Sequence, residues 1–448
     1  MRKTAFIMFI AGFGGMLFDF GGSIIAPAIP YLESLGTFTA EQISRLTSAA
    51  VLSASVSCFL TGFAADRFGR KPTMLLSGLA AAVAAIPICL CDLVPEHAFA
   101  LFYAGRFLQG LAAGAVGVVV PMYLVETLSP GIRGKGAAVF QLLDIIGVFC
   151  CSLVGIAVVH FFGPADGATV STAAKTLAWK TVFSSSVVPS LVFFFGVLAI
   201  PESPVWLRRG EKTVECADGG KDDGALLRRK YVLPFLLACL VLVCNQGAAV
   251  TSLQYYTVKL LQDAGLSNTL ANRMNGVVMA ALTVATAVAL PFVDRCGRRP
   301  LMIVGTAGVV IGHLAAAFIY LGLSNGWLAG GTAAGCCAAA ALSCVCFFFG
   351  VGPGVVAWLV LSEMMPDRIR AKGMSIAMFF NMAVAYLIAD QLLLVGARYG
   401  YAPMFFLFAL SSTVYFLTAV FLLPETKGKT LEEIERMWAG ESAEVKND

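Results

Sequence analysis

Charged side chains are scarce in this sequence. Only 13% of its 448 residues are Asp, Glu, Lys or Arg, and 58% are hydrophobic. Soluble domains carry about 25% charged residues, so this chain has too few polar side chains to cover a water-soluble core. Its apolar surface needs lipid as its solvent, which excludes an ordinary soluble protein and predicts an integral membrane protein.

Catalytic and metal-binding patterns are also lacking. The three His are scattered, and no His-Glu-x-x-His, Gly-x-Ser-x-Gly or P-loop pattern occurs. Most of the 13 Cys lie within apolar runs without zinc-like spacing, so we interpret them as packing residues. The net charge is only +4, and the cations form short clusters between apolar runs, which favours a membrane surface over nucleic acid. The sequence therefore predicts no enzyme, no cofactor, no metal and no nucleic-acid partner.

What the chain does have is apolar runs of membrane-spanning length. A bilayer core needs about 20 mostly apolar residues per helix. Such runs lie at 5–29, 44–65, 73–94, 99–125, 136–161, 178–200, 231–259, 271–293, 301–323, 330–362, 373–396 and 403–423. The first run has no convincing cleavage site, so we interpret it as a retained span. We predict an all-α membrane protein with twelve transmembrane helices in two six-helix bundles.

Three motifs recur in the same order, which indicates a parallel repeat of two halves. The pairs are 62–72 with 294–300, 121–136 with 358–373, and 201–204 with 424–426. We predict an N-terminal bundle at 1–200, a short cytosolic linker at 201–230, a C-terminal bundle at 231–425 and a cytosolic tail at 426–448. Lys and Arg collect on one side of the spans, which predicts that this side and both termini are cytosolic.

The repeated motif at 121–136 organises this cytosolic side. Glu126 closes one apolar run and Arg133 opens the next, and Glu363 and Arg370 repeat this arrangement. A carboxylate and a guanidinium placed in this way can pair at the water boundary. We predict that such pairs join the cytosolic ends of the two bundles and separate during the working cycle.

Seven motifs in this order resemble the sugar porter family of the major facilitator superfamily. They are Asp66-Arg-x-Gly-Arg-Lys, Arg106-Phe-Leu-Gln-Gly110, Pro121-x-Tyr-x-x-Glu126 with Arg133-Gly, Pro201-Glu-Ser-Pro-x-Trp206, Asp294-Arg-x-Gly-Arg-Arg, Gly352-Pro-Gly354 with Trp358 and Glu363, and Pro424-Glu-Thr-Lys-Gly428. The resemblance covers almost the full length and implies the major facilitator fold. It also implies a cytosolic gate formed by Asp66, Arg67, Arg70, Glu126, Arg133, Asp294, Arg295, Arg298, Glu363 and Arg370.

Neutral polar side chains within the spans are the candidate substrate ligands. Amides offer donors and acceptors to an uncharged polyhydroxy compound, and an aromatic face can pack on a sugar ring. The candidates are Gln141, Asn245, Gln246, Thr251, Trp358 and Asn381. The resemblance places Gln141, Gln246, Trp358 and Asn381 at sugar-contacting positions. The alternative is hydrogen bonding between helices.

Departures from the family pattern leave the choice of substrate open. Thr251 and Leu282 stand where the family has Asn, and Asn245 stands where it has Gln. Gly and Pro at 350–354 and polar residues at 245–256 predict that spans ten and seven are broken helices that line the central site. Tyr255 and Tyr256 are predicted to cover this site from outside, with an interfacial aromatic belt as the alternative.

Charged residues within apolar runs are costly and usually functional, and Asp19, Arg106, Asp144 and Asp390 lie in such runs. Of these, Asp19, Arg106 and Asp144 are the candidates for proton coupling. Asp19 is displaced by about two residues from the family position, and Asp144 follows Gln141 by about one helical turn. The alternative is that each Asp forms a static pair with Arg106.

The predicted function is transport of a monosaccharide, a hexose such as glucose, by alternating access. Facilitated diffusion and proton symport remain open. A proton-coupled polyol or inositol symporter, a non-transporting sugar sensor and an organic-ion carrier are the alternatives. We predict a monomeric transport unit in the plasma membrane, with sugar, protons and the lipid bilayer as its partners.

Overall fold

The computed structural model describes residues 2–129, 132–212, 229–364, 370–425, 427 and 433. Within these residues the chain is helical and contains no strand. We refer to residues 2–212 as the first half and to residues 229–425 as the second half.

Ten α-helices form the first half. They are α1 Arg2–Ser23, α2 Ile29–Leu35, α3 Ala40–Phe68, α4 Arg70–Val83, α5 Ala85–Leu90, α6 Ala98–Thr127, α7 Arg133–Phe162, α8 Thr172–Ser184, α9 Val187–Leu198 and α10 Pro204–Lys212. Two short 3₁₀ helices, Cys91–Leu93 and Pro95–His97, connect α5 to α6.

Eight α-helices form the described part of the second half. They are α11 Arg229–Gly247, α12 Val250–Asp263, α13 Asn268–Cys296, α14 Arg298–Ser324, α15 Thr332–Val351, α16 Pro353–Met364, α17 Arg370–Tyr399 and α18 Ala402–Leu417. A π-helical turn, Thr418–Leu422, extends α18.

Twelve helical segments among the described residues are long and apolar enough to cross a membrane. Spans three and six each comprise two helices in sequence, α4 with α5 and α8 with α9. Spans seven and ten are each broken into two helices, at 248–249 and at Gly352. The predicted all-α fold with twelve transmembrane helices is confirmed, and so are the two breaks.

Local sequence explains several helix starts. Thr39 and Gln42 form a reciprocal capping box at the start of α3, and Ser171 and Ser267 cap α8 and α13. Gly69 and Gly297 make the sharp turns between α3 and α4 and between α13 and α14, with φ values of 105° and 95°. Only glycine adopts such values without strain, which explains why glycine stands at both copies of this turn.

The predicted linker at 201–230 needs one correction. Its first part forms α10, and the indole Nε1 of Trp206 donates to the carbonyl of Asp66, 2.9 Å away. This end of the linker is therefore a helix packed on the first half. Residues 213–228 lie outside the described residues, as does most of the predicted tail.

The two halves pack through α3 against α17 and through α7 against α13. One buried apolar cluster includes Ile24 and Phe183 of the first half together with Tyr256 and Phe405 of the second. Near the repeated charged motifs, the buried clusters belong to one half each, around Val119 in the first and Val356 in the second. Among the described residues, a shared apolar cluster therefore joins the halves at one end of the spans, and the clusters at the other end each lie within one half.

Candidate functional site between the two halves

The spans have two chemically different ends. We call the end that carries Arg70, Glu126, Glu202, Arg298 and Glu425 the motif end, and the end that carries α2 and Lys259 the opposite end. The candidate site lies between them, along the interface of the two halves.

Arg70 is the centre of the motif end in the first half. Its side chain is 1% exposed, and its guanidinium lies 2.6 Å from a carboxylate oxygen of Glu126 and 2.9 Å from one of Asp66. It also donates to the carbonyl of Ala65. Glu126 accepts a further hydrogen bond from the hydroxyl of Ser203. A buried guanidinium needs this complete set of partners because an unpaired buried charge is costly.

Two carboxylates that the sequence analysis left without a role hold the starts of α4 and α14. Glu202 accepts from the backbone N–H groups of Arg70 and Lys71, each 3.1 Å away. Glu425 accepts from the N–H groups of Arg298 and Arg299 at 3.0 and 3.1 Å. These N–H groups have no partner within their own helix, and a negative charge is favoured at a helix N-terminus. The repeat of Pro-Glu at 201–202 and 424–425 was the sequence signal for this pair.

Glu425 gives a testable link between charge and stability. Partial burial opposes ionisation, but the N–H groups of Lys427, Arg298 and Arg299 and the Arg298 charge outweigh it and lower the pKa of Glu425 below its ordinary 4.5. A lowered folded-state pKa adds stability above the ordinary pKa, and this stability is lost as the pH falls through the folded-state pKa.

We therefore expect Glu425→Gln to destabilise the protein by about 1–2 kcal/mol at neutral pH. The midpoint of thermal unfolding in detergent would fall at pH 7, and the difference from the unchanged protein would shrink below pH 4.5. Glu41→Gln is the matched control, because Glu41 is an exposed carboxylate paired only with Arg45. Equal effects of the two substitutions at pH 7 would contradict this role of Glu425.

The described part of the predicted gate pairs within the first half. Glu126 pairs with Arg70, and among the described side chains no ion pair at the motif end joins the two halves. The pairing across the halves stays a prediction, because four of the ten gate side chains are not described. Arg67 stacks over Phe68, and Arg295 accepts from Lys427 through its carbonyl. The side chains of Arg133, Asp294, Glu363 and Arg370 lie outside the described residues.

Polar contacts between the halves are found at the opposite end. The Lys259 ammonium of α12 lies 2.9 Å from a carboxylate oxygen of Glu33 in the first half and 3.0 Å from one of Asp263. Ser48 of α3 donates to the Asp390 carboxylate at 3.0 Å. Asp166 accepts from the backbone N–H of Asn268 at the start of α13, 2.9 Å away. Three separate contacts therefore close this end.

We expect Lys259→Met to loosen this end, because it removes the ion pair to Glu33. Partly exposed ion pairs contribute about 0.5–1 kcal/mol to stability. The population of molecules in which the halves are open at this end should therefore rise by roughly two- to fivefold. Hydrogen exchange of the amides in 29–35 and 256–263 would become faster. Arg45→Met is the control, since Arg45 pairs with Glu41 inside one helix at the same end. Unchanged exchange in Lys259→Met would show that the ion pair does not hold the halves together.

Three of the predicted substrate ligands form one network in the second half. The amide of Gln246 donates to Asn381 at 3.3 Å and accepts from the hydroxyl of Thr251 at 3.1 Å. Asn381 donates in turn to the carbonyl of Leu242 at 2.9 Å. Gln246 is 7% exposed and Asn381 is fully buried, so both amides face protein and not lipid. The network holds these groups in fixed positions and leaves some of their bonding capacity free.

The other predicted ligands of the second half lie beside this network. Asn245 donates to the carbonyl of Pro353 at 3.2 Å, which joins the break of span seven to the break of span ten. Trp358 is partly buried in a cluster with Ala238 and Leu242, close to the carbonyl that Asn381 binds. Tyr255 and Tyr256 are 4% and 0% exposed, which excludes the interfacial-belt alternative.

In the first half, Gln141 donates to the carboxylate of Asp144 at 3.4 Å. Asp144 is 5% exposed, and its Oδ1 has no hydrogen-bond partner among the described residues. Asp19 of α1 and Tyr255 of α12 interact with it electrostatically. Gly15 allows α1 to approach α7 closely here, because a Cβ at residue 15 would lie 2.3 Å from the carbonyl oxygen of Phe140.

The environment of Arg106 differs from the static ion pair with Asp19 or Asp144 that was the alternative to proton coupling. Its guanidinium donates to the carbonyls of Gly21, Gly22 and Leu46, and to the side-chain oxygen of Gln109 at 2.9 Å. No described carboxylate lies within ion-pairing distance of it, so neither Asp19 nor Asp144 forms the static pair. Arg106 instead fixes the end of α1, whose carbonyls have no helical partner, against α3.

The sequence analysis missed two amides of α13. Asn272 and Asn275 are buried, and one oxygen of each has no partner among the described residues. Asn272 lies against Gly155 of α7, at the interface of the halves. Asn272 stands about three turns and Asn275 about two turns before Leu282, the position at which the family pattern has Asn. Unpartnered buried oxygens of this kind are suited to water or a hydroxylated ligand.

Twelve spans in two repeated halves, with a polar interface between them and charged turns at one end, define a membrane transporter. A family model described as "Sugar (and other) transporter" matches residues 7–223 and 213–438. The chain belongs to this family, the sugar porters of the major facilitator superfamily.

Several curated relatives match along nearly their whole length. An arabinose-proton symporter of Bacillus subtilis is 28% identical, and the match covers 96% of this chain and 93% of the relative. A D-xylose-proton symporter of Escherichia coli is 26% identical, with coverage of 97% and 96%. A glucose transport protein of Synechocystis is 27% identical, with coverage of 96% and 97%.

Solved structures support the fold. A crystal structure of a D-xylose-proton symporter superposes with a TM-score of 0.78 at 22% identity, covering 96% of this chain and all of that one. An inward-open structure of the xylose transporter XylE from E. coli gives a TM-score of 0.77 at 20% identity, with coverage of 96% and 99%. Both share the major facilitator architecture with this chain.

Proposed function

We propose that the protein carries a monosaccharide across the plasma membrane, with a hexose such as glucose as its substrate, by alternating access of its two halves. The observation that carries this proposal is the network of Gln246, Thr251 and Asn381, which presents neutral amides and a hydroxyl beside the break of span seven. Uncharged donors and acceptors suit sugar hydroxyls, and Trp358 can pack on a ring face. The names of the relatives, which include arabinose, xylose and glucose carriers, support the same substrate class.

The carrier is a proton symporter in this proposal. Asp144 is a buried ionisable group next to Gln141, with one oxygen free of partners. Ionisable groups at this depth are costly and mark paths for ions or protons. Asp19 lies near it, and Arg106 is occupied by carbonyls. Two of the relatives are named as proton symporters, which agrees with this assignment.

The charge distribution supports a proposed orientation in the membrane. Lys and Arg are concentrated at the motif end, so we place that end and both termini in the cytosol. Among the described residues, the halves are joined at the opposite end through Lys259 and Asp390, and the buried clusters at the motif end each belong to one half. These contacts support an inward-facing state of the cycle in this proposal, with a monomeric transport unit.

Uptake by the purified protein in liposomes tests the function. We expect labelled glucose to accumulate when an inward proton gradient is imposed and to stop accumulating when a protonophore is added. Arabinose, xylose and inositol are measured as competitors. Stronger competition by a pentose or by inositol would replace the hexose assignment. Uptake that is insensitive to the protonophore would refute symport, and sugar binding without any uptake would indicate a sensor.

A further inference from the structure

The break in span seven contains a strained backbone position. Ala249 has φ 56° and ψ 14°, and it is the one residue other than glycine with positive φ among the described residues. The Cβ of an L-residue disfavours this conformation, which persists only where the surroundings impose it. Something packed against the break must therefore hold it.

His313 is the side chain that contacts this break. It lies on α14, is fully buried, and its Nε2 is 2.9 Å from the carbonyl oxygen of Ala248. A carbonyl oxygen can only accept, so Nε2 is the donor. A broken membrane helix releases carbonyl groups that need partners inside the protein. The imidazole ring is held between Phe405 and Phe408, with centroid distances of 6.1 and 5.7 Å.

The break positions two sets of functional groups. On one side lie Asn245, which binds the Pro353 carbonyl, and Gln246, which belongs to the amide network. On the other side, α12 carries Tyr255 and Lys259 to the contacts with the first half. The direction of the chain at Ala248 and Ala249 therefore affects both the site and the closure of the opposite end.

We propose that His313 is a positioning residue for the transport cycle. Its hydrogen bond to Ala248 stabilises the break, keeps Gln246 in the amide network and sets the direction of α12. The described hydrogen bond and ring contacts of His313 go to Ala248, Phe405 and Phe408 of the second half, so it acts on the amide network through the backbone of span seven. The effect on transport rests on the proposed function, but the effect on the backbone does not.

The first test compares His313→Leu, which removes the donor, with His313→Gln, whose amide can donate to the same carbonyl. Hydrogen exchange of the amides in 247–256 reports on the break without any substrate. We expect exchange about tenfold faster in His313→Leu and within about twofold of the unchanged protein in His313→Gln, because a lost buried hydrogen bond corresponds to about a factor of ten. Uptake should fall in the same order.

Two further variants separate this role from packing. Phe408→Leu disturbs the packing against the His313 ring but keeps the hydrogen bond, so exchange at 247–256 should stay near that of the unchanged protein. Ala249→Gly relieves the strain and should restore part of the uptake of His313→Leu. Equal acceleration in Phe408→Leu and His313→Leu, or equal acceleration in His313→Gln and His313→Leu, would overturn the proposal.

The readouts keep the two proposals distinguishable. Faster exchange in His313→Leu alone, with no sugar taken up by any variant, would support the positioning role and refute the proposed function. If His313→Leu is not recovered as a folded protein, the test compares exchange at 247–256 in His313→Gln and in Phe408→Leu. Exchange in His313→Gln at the level of the unchanged protein supports the proposal. Faster exchange in His313→Gln than in Phe408→Leu overturns it.

Discussion

Asp144→Asn should abolish sugar accumulation driven by a proton gradient while leaving downhill exchange of sugar. Asn has nearly the same shape as Asp and keeps an acceptor for Gln141, so the packing of α7 on α1 is preserved. It cannot take up and release a proton. Because Asp144 is 5% exposed and one of its oxygens has no partner among the described residues, we propose Asp144 as the proton carrier.

The measurement uses the same liposomes in two assays. Accumulation under an imposed proton gradient should fall to the level of simple equilibration, and exchange of internal labelled sugar for external sugar should persist. Asp390→Asn is the matched control. Asp390 is also a carboxylate at the interface of the halves, and the side-chain oxygen of Asn at this position can still accept from Ser48. The contact between the halves is therefore kept, and accumulation should remain. Gradient-driven accumulation by Asp144→Asn would refute its role as the proton carrier.

Asp19→Asn is the third substitution to test in these assays, because Asp19 is the other carboxylate near Asp144. We expect accumulation to be reduced but present, since Asp19 is half-buried and Asp144 remains. Loss of accumulation in Asp19→Asn with normal accumulation in Asp144→Asn would move the proton to Asp19, the residue nearer to the family position.

The second large effect is expected from Gln246→Leu. The substitution keeps the volume of the side chain but removes the amide that links Thr251 and Asn381. A site that binds hydroxyl groups then loses a donor and an acceptor and leaves its neighbours unpaired, at a cost of about 1–3 kcal/mol. The KM for the sugar should rise by about 10- to 100-fold, with a smaller change in the maximum rate.

The control for this experiment is Gln391→Leu, an exposed Gln that contacts the Asp390 carboxylate. Its KM should be unchanged. A normal KM in Gln246→Leu would show that the amide network only joins helices, which is the alternative that the sequence left open. Asn381→Leu should raise the KM in the same way, because Asn381 shares the network and also holds the carbonyl of Leu242.

Much of the architecture was predictable because it depends on local composition. Apolar runs of about 20 residues have one stable conformation in a bilayer, so their number and order follow from the sequence. The breaks at 248–249 and Gly352 were also predictable, because polar residues at 245–256 and Gly and Pro at 350–354 interrupt the apolar runs. Local patterns could not show that Ala249 takes a positive φ, because alanine carries no signal for it.

The charged residues show where local reasoning fails. Glu126 pairs with Arg70, 56 residues earlier, a partner that spacing along the chain does not indicate. The packing of α4 on α6 brings these two residues together. Similarly, Glu202 reaches backbone N–H groups more than 130 residues away. Such partners are chosen by helix packing, which a single sequence does not contain.

The sequence by itself determined that this chain is a membrane protein of twelve spans in two repeated halves, because burial of apolar surface in lipid depends on run length alone. It also determined the kind of side chain available for a substrate. Only the tertiary structure decided which end of the halves is joined, which amides share a network and which carbonyls surround Arg106. Those outcomes depend on distances between helices that are far apart in the chain, and packing sets these distances.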